Sequence, residues 1–116
     1  MLEREWTMVS EYAVTFYITP DDKSPFTDWL DSIKDPATIQ RIRNRIDRFE
    51  KGNLGDYKPL TGIQGLNEAR LNFGPGFRLY FTIQFDRIVL FYGGRKSSQR
   101  KDIQTATALY RLLLEE

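Results

Sequence analysis

From Glu11 to Thr19 the chain reads EYAVTFYIT, a run of aromatic and β-branched residues that predicts a first β-strand. Ser24-Pro25 then supplies an N-cap and a first-turn proline, and predicts a short helix to about Ile33. Phe26, Leu30 and Ile33 recur at helical spacing and are expected to face the core. The same punctuation at Asp35-Pro36 opens a second helix to about Lys51, with Gly52 as its stop. Ile39, Ile42, Ile46 and Phe49 form its apolar seam. Arg41, Arg45 and Arg48 form a parallel basic stripe at i, i+4 and i+7, read first as a solvated face and second as an RNA contact through Arg45.

Gly52–Gly65 reads as a loop holding Tyr57, Lys58 and Pro59. Three strands follow, at roughly Leu66–Phe73, Phe77–Gln84 and Ile88–Tyr92. Turns at Gly74-Pro75-Gly76 and Phe85-Asp86-Arg87 make them an antiparallel meander. A last helix is expected from about Ser98 to Leu114, with Ile103, Ala106, Tyr110 and Leu113 inward. The order is βααβββα: an α+β fold with an antiparallel sheet and helices packed on one face.

Side-chain alternation constrains the first hairpin. A three-residue loop pairs Phe73 with Phe77, Leu71 with Leu79 and Ala69 with Phe81, which makes one face wholly apolar. The other face then carries Glu68, Arg70 and Asn72 beside Arg78, Tyr80 and Thr82, with Arg70 across from Tyr80. Like charges on neighbouring strands repel unless an anion or a carboxylate lies between them, and Glu68 can supply one.

Composition narrows the chemistry. The 116 residues suit one domain, expected over residues 9–116 with an N-terminal extension at 1–8. No run of about 18 apolar residues suggests a membrane span, and the charged first ten residues do not read as a signal peptide. Cys and His are both absent. That excludes disulfides, Cys/His metal sites, Cys nucleophiles and Ser-His-Asp chemistry, and it fits a cytoplasmic protein. The carboxylates do not cluster as a Mg²⁺ site would, so neither metal nor other cofactor is expected. Net charge is +1 but uneven: residues 1–36 hold three Lys/Arg against eight Asp/Glu, and the remainder fourteen against eight. The basic portion is compatible with a polyanion. Gly93-Gly94-Arg95-Lys96-Ser97-Ser98 reads as a flexible basic turn whose backbone N–H groups suit a phosphate, although GGRKSS is not a nucleotide-binding P-loop.

Several blocks together resemble one family. GDYKPL (Gly55–Leu60), GLNEARLNFGPGFRLYF (Gly65–Phe81) and GGRKSSQRKDIQTA (Gly93–Ala106) are similar to the signature blocks of the phage-derived, HigB-like toxins. These are "addiction module killer" proteins of the RelE/ParE superfamily. Pro25–Asp35 and Arg41–Asp56 resemble its two-helix segment. The resemblance implies a RelE-like fold, an antitoxin partner of helix-turn-helix DNA-binding type, and growth arrest by cutting mRNA in the ribosomal A site. It also implies a mainly basic working set. Arg78 matches the arginine of the family's central strand, Lys96 the basic residue after its last-strand glycine, and Lys58 the lysine-bearing loop. RelE proper has a catalytic tyrosine in its C-terminal segment, where this chain reads QRKDI (Gln99–Ile103). Tyr110 falls on the apolar seam and reads as core, which leaves Tyr80 as the candidate replacement.

RNA can be cut without a metal when its 2′-OH attacks the adjacent phosphate. The site must then take up one proton, stabilise the phosphorane and return a proton to the 5′-oxygen. Arg78 suits the charge stabilisation because a guanidinium matches two phosphate oxygens. Lys58, Lys96 and Tyr80 are the candidates for proton transfer. Arg70, Arg95, Ser97, Gln99 and Arg45 are the candidate RNA contacts. The same superfamily admits a ParE-like gyrase inhibitor that cuts no RNA, or an inactive binding module.

Overall fold

The computed structural model describes residues 11–116, and the extension expected at residues 1–8 lies outside them. Among the described residues the elements run β1 (Ala13–Phe16), α1 (Pro25–Ser32), α2 (Pro36–Glu50), β2 (Tyr57–Pro59), β3 (Asn67–Leu71), β4 (Phe77–Gln84), β5 (Arg87–Arg95) and α3 (Gln99–Leu114). A 3-10 turn at Lys96–Ser98 leads into α3. The strands form one sheet in the order β1-β5-β4-β3-β2. β1 runs parallel to β5, and the other neighbours are antiparallel. The α+β class and the order of the expected elements hold. β2 adds a three-residue edge strand inside the expected loop, where Pro59 suits an edge position.

Both early helices start at prolines that need no amide partner. At α2 the Asp35 carboxylate accepts from the Ala37 N–H (3.3 Å) and from the Thr38 hydroxyl (2.8 Å). At α1 the Ser24 hydroxyl turns instead to Thr27 Oγ1 (2.8 Å) and leaves the backbone uncapped. Phe26 and Leu30 of α1 and Ile42, Ile46 and Phe49 of α2 pack on Ala69, Leu71, Phe77, Leu79, Phe81, Ile88 and Leu90. That is the apolar face the hairpin alternation requires.

The helices are not all on one face. α3 covers the opposite side, where Ala106, Leu109 and Tyr110 pack on Tyr17, Leu66, Tyr80, Val89 and Phe91. The reason lies in β5. Tyr80 pairs with Tyr92 but Phe81 with Leu90, so Phe91 is an extra residue in a β-bulge. The bulge puts Phe91 and Tyr92 on the α3 side and supplies the apolar surface that α3 needs.

The hairpin register differs by two residues from the expected one. Leu71 pairs with Phe77, Arg70 with Arg78 and Glu68 with Tyr80, across a connection of residues 72–76. Five residues keep the odd parity of three, so each side chain stays on its expected face. Gly93 and Gly94 belong to β5 and are buried, pairing with Leu79 and Arg78 rather than forming a flexible turn. Glycine is required there by close approach: a Cβ at Gly93 would strike the Trp29 ring, and one at Gly94 the Asp102 carboxylate. Both residues lie in strand β5, so they do not form the expected flexible phosphate loop.

Arg45 is a structural clamp. It is 7% exposed, between Ile42, Ile46 and Phe49 on the buried side of α2. Its guanidinium donates to the carbonyl oxygens of Arg70 (2.8 Å), Asp56 (2.8 Å) and Leu54 (3.1 Å from Nη2). One side chain thereby ties α2, β3 and the chain entering β2. Replacing Arg45 by Met should lower stability by about 2–3 kcal/mol in urea unfolding, because charged donors leave three acceptors together. Arg45→Lys should recover less than half of that, since one ammonium cannot span the same fork. A midpoint unchanged by Arg45→Met would contradict the clamp.

Tyr17, just past β1, ties down the far end of α3. Its hydroxyl donates to Glu116 Oε2 (2.7 Å), and its ring meets Phe91 at 5.5 Å. Burial, then the Glu116 hydrogen bond and charge, push the phenol from 10.0 up to about 12. The folded state thus holds this proton more tightly than the unfolded chain does. The stabilisation is complete below pH 10 and is lost as pH rises towards 12. Between those values the wild type should lose stability more steeply than Tyr17→Phe in parallel denaturant titrations. Equal slopes would mean that Tyr17 makes no such contribution.

Candidate functional site

The face under the first turn of α3 gathers polar side chains in two rows across the sheet. Lys58 of β2 lies opposite Glu68 of β3, Glu68 opposite Tyr80 of β4, and Tyr80 opposite Tyr92 of β5. In the next row Arg70 lies opposite Arg78, and Arg78 opposite Gly94. The bulge at Phe91 keeps Tyr92 and Gly94 on this face. Cross-strand neighbours stand about 5 Å apart at Cβ, so each row is a line of touching side chains.

Burial gives these groups their chemistry. Glu68 is fully buried and Arg78 is 6% exposed, with Arg78 Nε 3.8 Å from Glu68 Oε1. The separation makes an ion pair but not a hydrogen bond, and both atoms lack any hydrogen-bond partner. Glu68 Oε2 accepts from Gln99 Nε2 (2.6 Å), which pins the first turn of α3 to the sheet. Arg78 Nη1 donates to the Phe77 carbonyl (3.0 Å). The Tyr80 hydroxyl is buried without a bonded partner. Burial, reinforced by the Glu68 and Asp102 carboxylates and opposed by Arg78, holds its phenol well above the ordinary range. Tyr80 therefore keeps its proton at neutral pH. Asp102 faces the gap left by Gly94 and accepts from the Ser98 hydroxyl at 2.5 Å.

Cations surround this centre. Arg70 pairs with Asp56 through Nη2 (3.1 Å), and its buried Nε is unpartnered. Lys96 is exposed, and its stem borders Gly76. A Cβ at Gly76 would lie 3.4 Å from Lys96 Cβ and 3.9 Å from Arg78 Nη1. Gly76 thus leaves open the space between Lys96 and the Arg78 guanidinium. On the other flank a groove of about 510 Å³ opens beside Glu68. Lys58, Gln99 and Arg100 line it with the apolar Leu60, Ile63 and Ile103.

Of the residues singled out in the sequence, Arg78, Tyr80, Arg70, Gln99, Lys58 and Lys96 stand on or beside this face. Ser97 is exposed in the 3-10 turn next to Lys96. Arg95 and Arg45 lie elsewhere. Arg95 pairs with Phe77 and lines a separate groove with Trp29 and Asp35 on the α1–α2 side. The Arg45 guanidinium is occupied by backbone carbonyls. Tyr110 is core, packed on Phe91 and facing Gly65. Asp102 and Arg100 were not singled out, and Glu68 only as a counter-charge. The signal for Asp102 was present: it lies one turn before the buried Ala106, at helical spacing. Among the described residues no group of three or more Asp or Glu side chains is arranged around a metal position. No described helix is long and apolar enough to cross a membrane.

The arrangement gathers cations and a phenol around one buried carboxylate. A guanidinium fixed by a buried carboxylate stands beside a phenol with a proton to give, and two lysines flank the pair. Such groups stabilise charge that develops on a phosphate during displacement.

No protein-family model matches the chain. The fold is similar to a chain of the crystal structure of the RelB-RelE antitoxin-toxin complex from Methanococcus jannaschii. The TM-score is 0.54 at 18% identity, covering 66% of this chain and 89% of that one, a likeness of fold. In sequence, the chain is 38% identical over 85 residues to an uncharacterized protein of Haemophilus influenzae, spanning 72% of this chain and 84% of the relative. The chain thus has a RelE-like α+β fold and belongs to the same family as that Haemophilus influenzae protein.

Proposed function

We propose that the chain is the toxin of a HigB-like toxin–antitoxin pair and cleaves messenger RNA on the ribosome without a metal. The carrying observation is the Glu68–Arg78–Tyr80 cluster on the α3 face, flanked by Arg70, Lys58 and Lys96. The likeness to the RelB-RelE complex supports the reading at the level of fold. The proposed partners are a helix-turn-helix antitoxin and ribosome-bound mRNA in the cytoplasm.

In this reading Arg78 binds two non-bridging oxygens of the scissile phosphate and neutralises the charge that grows as the 2′-oxygen attacks. Glu68 positions Arg78 through the ion pair at Nε, while the Phe77 carbonyl accepts from Nη1. Tyr80 keeps its proton until the 5′-oxygen departs and then donates it. Lys58, Lys96 and Tyr80 share the proton transfers, one group taking the 2′-OH proton as another protonates the 5′-oxygen. Gln99 and Arg70 hold the neighbouring nucleotides.

Brief induction in growing cells, followed by mapping of RNA 5′ ends, tests the reading. Wild type should produce new ends on translated messages only. Arg78→Ala at equal expression should lower their yield by about 10²–10³-fold, the usual consequence of losing one charge-stabilising donor. Arg78→Lys keeps the charge without the fork and should recover only part of it. Circular dichroism establishes that both variants fold. Undiminished cleavage by a folded Arg78→Ala variant would overturn the assignment, as would intact RNA alongside impaired gyrase supercoiling.

A further inference from the structure

A second concavity, of about 240 Å³, lies outside the proposed cleavage cluster, between α2 and the part of β3 that extends beyond β2. Its wall carries Arg41 and Arg48 of α2, Arg70, Asn44, Asn72 and Phe73, and among the described residues no carboxylate lines it. Arg41 is not a loose surface cation: its guanidinium carbon sits 4.2 Å from the centroid of the Phe73 ring. That contact holds the planar cation against the ring in one orientation. Behind the wall the Arg45 guanidinium is already occupied by three carbonyl oxygens. It adds positive charge to the groove without offering donors. Four arginines around one small concavity repel each other, and the described structure neutralises only Arg70, through Asp56.

We propose that this groove is a second RNA-binding site, which holds the phosphate backbone of an RNA segment outside the cleavage centre. The choice of RNA over an acidic peptide rests on Arg70. It lines the groove and is also the cross-strand neighbour of Arg78, so the groove and the cluster share one residue. In this proposal a strand with its scissile phosphate at Arg78 continues past Arg70 into the groove. Phe73 and the stacked Arg41 give an unstacked base a flat partner, which a peptide carboxylate does not use. The inference rests on the RNA-cleaving reading for its physiological ligand but makes a separate demand on Arg41 and Arg48.

The test uses the full chain and a fluorescent single-stranded RNA with 2′-O-methyl groups throughout, which bars cleavage by 2′-OH attack. Anisotropy titrations at 50 to 200 mM salt compare wild type with Arg41→Gln/Arg48→Gln. Both side chains are exposed, so the double variant should keep the wild-type fold and melting midpoint. Each phosphate contact contributes a slope of about 0.7 to the dependence of log affinity on log salt for single strands. The double variant should therefore bind at least tenfold more weakly at 50 mM salt, with the slope reduced by about 1.4. Unchanged affinity and slope would overturn the proposal. So would a loss confined to a polyglutamate peptide, which would make the groove a protein-docking site. Cleavage by wild type is scored separately on unmodified messages under translation by ribosomes. A chain that cuts nothing yet shows the predicted loss of binding keeps the groove and sinks the nuclease. A chain that cuts RNA while the double variant binds normally does the reverse.

Discussion

Strand β4 is buried from Phe77 to Thr82 with no break, and a strand covered on both faces must satisfy its polar side chains inside protein. On the α1–α2 side the requirement is trivial, because Phe77, Leu79 and Phe81 are apolar. On the α3 side the strand presents Arg78, Tyr80 and Thr82. Thr82 is satisfied by donating to the Gly65 carbonyl at 2.7 Å. Arg78 has Glu68 and one carbonyl, yet its Nε is left over, and Tyr80 has no bonded partner. Apolar residues of similar size at these positions would be cheaper for the fold alone. A buried cluster kept charged and incompletely bonded has the character of a site completed by something that binds there.

The remaining architecture follows from holding that cluster in place. The five-residue connection fixes Arg70 opposite Arg78 and Glu68 opposite Tyr80. The bulge at Phe91 brings Tyr92 and Gly94 onto the same face and gives α3 an apolar bed. Gly94 admits the Asp102 carboxylate, and Gln99 fastens the helix to Glu68. Arg45 braces the other side by binding the carbonyl of Arg70 itself, so the backbone that carries Arg70 is held from beneath. A RelE-like fold is thus used to keep a few ionic groups in a dry place with fixed geometry.

Much of this was legible in the residue pattern because side-chain alternation has a strict period. Apolar Ala69, Leu71, Phe77, Leu79 and Phe81 leave only odd loop lengths, so the polar set of the opposite face could be read. The register itself could not, since three- and five-residue loops share a parity and differ only in closure geometry. The role of α3 was hidden because Arg70, Arg78 and Thr82 look like an ordinary solvated face. The counter-signal was Val89 and Phe91, together with a helix whose apolar stripe needed a surface. Gly93-Gly94 reads as a turn in any sequence scan, and only the approach of Trp29 and Asp102 makes it a strand. Arg45 was misplaced for a more instructive reason. Ile42, Arg45, Ile46 and Phe49 follow i, i+3, i+4 and i+7, the buried stripe of a helix, with one cation occupying an apolar slot.

In the proposed function the Glu68–Arg78–Tyr80 cluster binds an RNA phosphate. A crystal structure of the chain with a short RNA carrying a 2′-deoxy sugar at the scissile position tests it most directly. The account predicts one phosphate within hydrogen-bond distance of the Arg78 guanidinium, with the Tyr80 hydroxyl, now without a partner, donating to the same group. RNA bound with every phosphate away from that face, and Arg78 and Tyr80 left as they stand, would contradict it.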